Sequence, residues 1–229
     1  LITKNEFKCR NYKSSKYIKF DGLLFKPELY KTLSLQFSVF SELNEENVTD
    51  EKVNNYNLQF IKKSINFSTE WKTFINYHTS KEFFNKLCDK FNMNKDVYKT
   101  CSIRNEESDK PTYIKVDFKV SFNPKNLSSK KEHIGVPHMY RPDKIFIILI
   151  YFPFIENKYL HKDNGSVLIY DRTVNIIDEI NYEHNCGIII KNEENSIFSQ
   201  LKLNNHPDEY RRYVSITFID NRDKESSTE

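Results

Sequence analysis

The sequence predicts a mainly β fold, a sandwich or barrel of short strands with N-terminal helices buttressing one sheet. Two observations predict it. The hydrophobic pattern changes from a period of about 3.6 residues before Tyr113 to about 2 after it, and the later apolar runs are short and separated by turn-rich connections. A length of 229 residues suits one domain, and two independent cores would be a tight fit. The expected division is 1–110 as helical support, 111–220 as the β core and 221–229 as a disordered tail.

The elements follow in order. Tyr17 to Phe20 reads as a short strand leaving through the Asp21-Gly22 turn. A helix begins near Pro27, which suits a first helical turn, with Leu29, Tyr30, Leu33 and Phe37 on one face. Ser41 to Asn57 is polar and aperiodic, and is expected to be a mobile loop. Two helices come next, one around Glu70 to Tyr77 carrying Trp71, Phe74 and Ile75, the other from about Lys81 to Phe91 carrying Phe83, Phe84, Leu87, Cys88 and Phe91. Thr79 and Glu82 have the spacing of a capping box for the second. From Tyr113, Ile114, Val116, Phe118, Val120 and Phe122 alternate with polar residues, the clearest strand pattern in the chain. Further strands are expected at Lys144 to Tyr151, Ser166 to Tyr170, Gly187 to Lys191, Ser196 to Leu201 and Arg212 to Ile219.

Composition excludes several partner classes. With 35 Lys and Arg against 32 Asp and Glu, interspersed along the chain, no basic groove for nucleic acid or anionic membrane is indicated. Cys9, Cys88, Cys101 and Cys186 lie far apart, form no CxxC pair and read as reduced thiols. The longest apolar run, Ile145 to Phe154, falls short of the roughly 20 residues a membrane span needs. A cytoplasmic protein is the expectation. Asn47-Val48-Thr49, Asn66-Phe67-Ser68 and Asn126-Leu127-Ser128 match the glycosylation sequon, which carries little weight without a secretory signal.

The second half carries a set of motifs in order. His138, Pro142-Asp143-Lys144 and Tyr151-Phe152-Pro153 lie within Ile134 to Pro153. Asn164-Gly165-Ser166-Val167-Leu168-Ile169-Tyr170, Asn185-Cys186-Gly187-Ile188-Ile189-Ile190-Lys191-Asn192, Ser196 to Leu201 and Arg211 to Thr217 follow. The set resembles the 2-oxoglutarate/Fe(II)-dependent oxygenases related to prolyl hydroxylases. That resemblance implies a double-stranded β-helix, or jelly roll, with Fe(II) and 2-oxoglutarate as cofactors.

In that family two imidazoles and one carboxylate hold Fe(II) on one face, leaving adjacent positions for 2-oxoglutarate and O₂. An arginine fork grips the far carboxylate of the cosubstrate. Aligned on the family, His138 matches the first ligand, but Tyr140 stands at the carboxylate position and Ser199 best matches the distal histidine. Asp143 and His206 are the substitutes that would complete a triad with His138. Arg211 and Arg212 match the cosubstrate arginine, and Tyr151 joins them as a cofactor-binding candidate. Alternation puts Arg211, Tyr213, Ser215 and Thr217 on one face and Arg212, Val214, Ile216 and Phe218 on the other, which favours Arg211. His133, His161 and His184 lie in polar turns and read as surface residues.

Two functions remain open. One is a hydroxylase of a small molecule, sugar or peptide side chain. The other is a degenerate jelly roll, without iron or cosubstrate, that binds a ligand or protein partner. The sequence names neither substrate nor oligomeric state.

Overall fold

A computed structural model describes residues 9–12, 15–20, 22, 24–38, 54–57, 67–104, 113–123, 137–139, 141–153, 165–193, 197–200 and 211–221. Its frame is an eight-stranded sheet in the order β1 (Cys9–Tyr12), β2 (Ser15–Phe20), β10 (Gly187–Lys191), β7 (Lys144–Tyr151), β12 (Arg211–Asp220), β5 (Tyr113–Asn123), β3 (Asn54–Asn57). β4 (Ser102–Arg104) lies parallel to the start of β5. A four-stranded sheet runs β6 (His138–Met139), β11 (Ile197–Gln200), β8 (Val167–Tyr170), β9 (Ile176–Ile180). From β5 onward the chain passes back and forth between the sheets, with β5, β7, β10 and β12 in the large one and β6, β8, β9 and β11 in the small one. This is a jelly roll.

Three helices cover the outer face of the large sheet: α1 (Pro27–Leu35), α2 (Thr69–His78) and α3 (Lys81–Lys90). Each forms where its sequence supplies a start and one apolar face. Pro27 opens α1, where its missing amide hydrogen costs nothing. The Ser68 hydroxyl caps α2 by accepting from Trp71 N, and Trp71, Phe74, Ile75 and His78 then fall on one buried stripe. In α3 the cap is Ser80, which accepts from Phe83 N; the Thr79 hydroxyl donates instead to Ile75 O of the preceding helix. The expected Thr79/Glu82 box gives way to a single serine cap one residue later, with Phe83 at the position where a box needs a carboxylate, because Thr79 already terminates α2.

The pleat of β12 separates two cores. Val214, Ile216 and Phe218 enter the helical core with Ile114, Val116, Phe118 and Val120 of β5, Phe146, Ile148 and Ile150 of β7, and the aromatic faces of α2 and α3. Leu149 and Tyr151 of β7, Ile188 and Ile190 of β10, Val167 and Ile169 of β8, and Phe198 of β11 fill the space between the sheets, with Tyr213 packed against them. β7 is apolar nearly throughout because it is buried on both faces. A register shift beside it leaves Ile145 without a partner in β12, since Phe218 pairs with Phe146 and Ile219 with Lys144.

Both ends of β10 are stapled. Asn185, at a φ of 58°, accepts from Phe25 N (2.8 Å) through Oδ1 and donates from Nδ2 to Phe25 O (2.8 Å) and Gly22 O (3.2 Å), fastening the approach to α1. At the other end Asn192 Nδ2 donates to Arg141 O and Lys144 O (both 2.9 Å) and shapes the turn into β7. Tyr17 Oη donates to Asp178 Oδ2 (2.6 Å), joining β2 of the large sheet to β9 of the small one.

Asn54–Asn57, expected within a mobile loop, is strand β3, paired antiparallel with Asn57 opposite Lys119 and Asn54 opposite Phe122. Asn221, at the head of the expected tail, is buried and donates its backbone N–H to Tyr113 O. Residues 222–229 and 39–53, and the residues carrying the three sequons apart from Phe67 and Ser68, lie outside the described residues. Cys88, Cys101 and Cys186 are buried thiols outside any described disulfide, Cys186 Sγ accepting from Gly22 N (3.0 Å), and burial raises the Cys88 thiol to about 11.

Candidate functional site

The candidate site lies where the small sheet faces the large one, between β6 and β11 on one side and β12 and β7 on the other. His138 belongs to β6, and its antiparallel partner in β11 is Phe198. Phe198 is 1% exposed and belongs to the core between the sheets. The next residue, Ser199, takes the opposite face: it pairs with Leu168, and its buried hydroxyl shares a hydrogen bond of 2.9 Å with Tyr170 Oη. Ser199, which sequence alignment matches to the distal histidine, thus faces away from the core between the sheets, and the residue opposite His138 is Phe198. A phenyl ring has no lone pair to give a metal.

The other candidate ligands are placed as follows. Asp143 sits in the turn before β7, where its carboxylate pairs with Arg141 and is held below the usual carboxylate range by that hydrogen bond. Eight residue steps separate Asp143 from Tyr151, roughly 26 Å at strand rise, and Tyr151 stands beside Tyr213 near the start of β12. A five-carbon cosubstrate cannot bridge from Asp143 to an arginine at that far end. Tyr140 and His206, like His133 and His161, lie outside the described residues, as do the side chains of His138 and Arg211.

Arg212 is turned to the helical side. The residue is 4% exposed, and its guanidinium donates from Nη2 to Ser34 O (2.8 Å) near the C-terminus of α1 and lies 4.5 Å from the centre of the Phe37 ring. A cation at a helix C-terminus meets exposed carbonyls and the negative end of the helix dipole. Burial lowers its pKa to about 10, so it stays charged at neutral pH. Arg212 therefore anchors α1 to β12 and does not face the space between the sheets, which corrects its candidacy as a cosubstrate ligand. Tyr151 is fully buried in the inter-sheet core, with its ring edge-on to Tyr182 at 5.2 Å. Tyr182 Oη in turn accepts from Arg212 N (2.7 Å).

His184, expected at the surface, is partly buried: Nδ1 lies 3.4 Å from Tyr30 Oη, and burial, then the charge of Arg212, lowers its titration. Tyr30 stacks on Phe152 (5.4 Å between ring centres), and burial raises its hydroxyl above the usual range. Sequence reasoning gave Tyr30 only a place on a helix face and Phe198 only a place in a strand, and passed over Tyr182. For Phe198 the missing information was register, since Ile197-Phe198-Ser199-Gln200 alternates equally well either way.

No family model matches the chain, and no curated protein matches it. Solved structures do. The chain is similar to a Pseudomonas putida prolyl-4-hydroxylase, with a TM-score of 0.50 and 10% identity over 90% of this chain and 92% of that one. It is also similar to a prolyl hydroxylase from Trichoplax adhaerens, solved in complex with a hypoxia inducible factor oxygen degradation domain peptide fragment (TM-score 0.52, 9% identity, 90% of this chain and 85% of that one). The fold is the one these hydroxylases use. At such identity the likeness is of fold, and the chemistry has to be argued from the residues.

Of His138, Asp143 and His206, the candidate triad, only Asp143 has a described side chain. Among the described residues no three His, Cys, Asp or Glu side chains stand together as a ligand set. The position opposite His138 holds Phe198, and Asp143 is engaged by Arg141 in a turn.

Proposed function

We propose that this chain is a non-catalytic jelly roll of the oxygenase architecture, a binding module for a small molecule or peptide. The observation that carries the reading is Phe198, an apolar core residue paired with His138 where a second metal ligand is needed. Tyr140, at the carboxylate position of the sequence motif, supports it from the other side.

The binding surface in this reading includes the start of β12, where Arg211 precedes the half-buried Tyr213 by two strand positions. An arginine near a tyrosine suits a ligand with a carboxylate or phosphate and a flat apolar part. A second reading, a working hydroxylase of a small molecule, sugar or peptide side chain, draws support from the fold likeness. It requires His138 with Asp143 and His206 as ligands to iron, and 2-oxoglutarate held by Arg211.

Anaerobic titration of the protein with Fe(II) and 2-oxoglutarate separates the two, followed by admission of O₂. The binding-module reading expects no metal-to-ligand charge-transfer absorption and no succinate. Appearance of either overturns it.

A further inference from the structure

His78 ends α2 inside the helical core, 0% exposed, and takes no part in the site described above. Its Nδ1 lies 2.7 Å from Phe74 O. A carbonyl only accepts, so Nδ1 carries the hydrogen and Nε2 is left with its lone pair. Nε2 is buried with no hydrogen-bond partner. Four rings close around the imidazole: Phe74 at 4.3 Å between centres, Phe83 at 4.8 Å, Tyr77 at 5.0 Å and Phe25 at 6.1 Å. They come from α2 itself, from α3 and from the segment before α1. Among these contacts Tyr77 alone is titratable, and its hydroxyl accepts from Lys86 Nζ (3.0 Å), a cation rather than a carboxylate.

A proton added at Nε2 would carry a full charge into this cage with nothing to accept the new N–H. Attraction to the ring faces offsets only part of the lost hydration. We propose that His78 is an acid-sensitive latch: its protonation releases α2 and α3 from the outer face of the large sheet before the jelly-roll strands separate.

The direction follows from linkage. Burial lowers the His78 ring from its ordinary 6.5 to about 3. Above 6.5 the ring is neutral whether seated or released, and the latch is fully closed. As pH falls from 6.5 toward 3 only the released form binds the proton, so seating weakens throughout that window. Between pH 7 and pH 5 the ratio of released to seated layer rises about 25-fold.

Trp71 is the sole tryptophan of the chain and sits on the same buried stripe of α2, so its emission reports the layer directly. The test is amide exchange, corrected for intrinsic rate, together with Trp71 emission at pH 7 and pH 5, for the wild type, His78→Leu and His78→Met. The wild type should lose protection in α2 and α3 at pH 5 while β7 and β10 keep theirs, and the variants should lose much less. Equal pH dependence in wild type and variants, or equal loss in strands and helices, overturns the proposal. The wild-type imidazole resonance gives a check that needs no variant. In the seated protein it should stay neutral down to pH 5, and titration near 6.5 without helix release also overturns the latch.

Discussion

Asn185 offers the sharpest test of how the helices are fastened to the sheets. Its side chain makes three hydrogen bonds to the backbone of Gly22 and Phe25, at 2.8, 2.8 and 3.2 Å. Each is worth about 1 kcal/mol net, and an abandoned buried N–H, here that of Phe25, costs ~1–3 kcal/mol. Its φ of 58° adds a further ~1 kcal/mol for a residue with a Cβ that lacks asparagine's tolerance of that region. With the two bonds to carbonyls at ~1 kcal/mol each, the orphaned Phe25 N–H at ~1–3 and the backbone at ~1, Asn185→Ala should destabilise by about 4–6 kcal/mol. Asn185→Gly loses the same bonds without the backbone strain and should be the milder change by about 1 kcal/mol. Asn185→Asp keeps an acceptor for Phe25 N but sets a carboxylate against two carbonyls. It should match or exceed the alanine loss at neutral pH and recover as the carboxyl protonates. Urea unfolding followed by Trp71 emission reads all three as shifts in midpoint at constant slope. An alanine variant within 1 kcal/mol of wild type, or a glycine variant less stable than the alanine one, would refute the staple.

Gly187→Ala should cost at least ~2 kcal/mol by overpacking, because an added Cβ would stand 2.6 Å from the Leu149 carbonyl oxygen in the middle of the large sheet; a melting temperature unchanged from wild type contradicts this. Phe198→His places two histidines at paired positions whose Cβ atoms lie ~5 Å apart. It should bind Zn(II) or Ni(II) in calorimetry, lose that binding when His138 is also changed to Ala, and melt lower because a buried ring is replaced by a polar one. Undiminished binding without His138 would show that the two positions do not cooperate. Ser80→Ala should weaken α3 by about 1 kcal/mol and Thr79→Ala by less, since Ser80 is the residue that caps Phe83 N; the reverse order in thermal unfolding restores the Thr79 box. Arg141→Ala should raise the titration of the Asp143 carboxyl, followed by carbon NMR, with little change in melting.

The strands buried on both faces were readable because their apolar runs have no competing explanation. Lys144–Tyr151 and Gly187–Lys191 match the expected limits. The two faces of β12 were also readable, since Val214, Ile216 and Phe218 have no place but a core. β9 was missed because Asp178 and Glu179 interrupt its pattern: Asp178 is there to receive Tyr17 and Lys19 from the other sheet. β3, reading Asn-Asn-Tyr-Asn, has almost no apolar content and exists through its ladder with β5. At the candidate site the deciding fact was which of two neighbours in β11 pairs with His138. A one-residue slip exchanges Phe198 for Ser199, and four residues of alternating size do not fix it. Arg211 and Arg212 posed the same ambiguity, which the apolar residues following them resolved.

The two asparagines that bracket β10 also bear on how this chain came to be recognisable. The segment from Asn185 to Asn192 is among the motifs most like the oxygenases, yet each of its asparagine side chains holds backbone in place and touches no reacting group. A motif of this kind is a signature of carpentry. It persists under the demands of joinery whatever is done in the room it frames, so a search tuned to it gathers working enzymes and silent ones alike. Sorting them calls for the paired positions of β6 and β11, where the tenant rather than the building is decided.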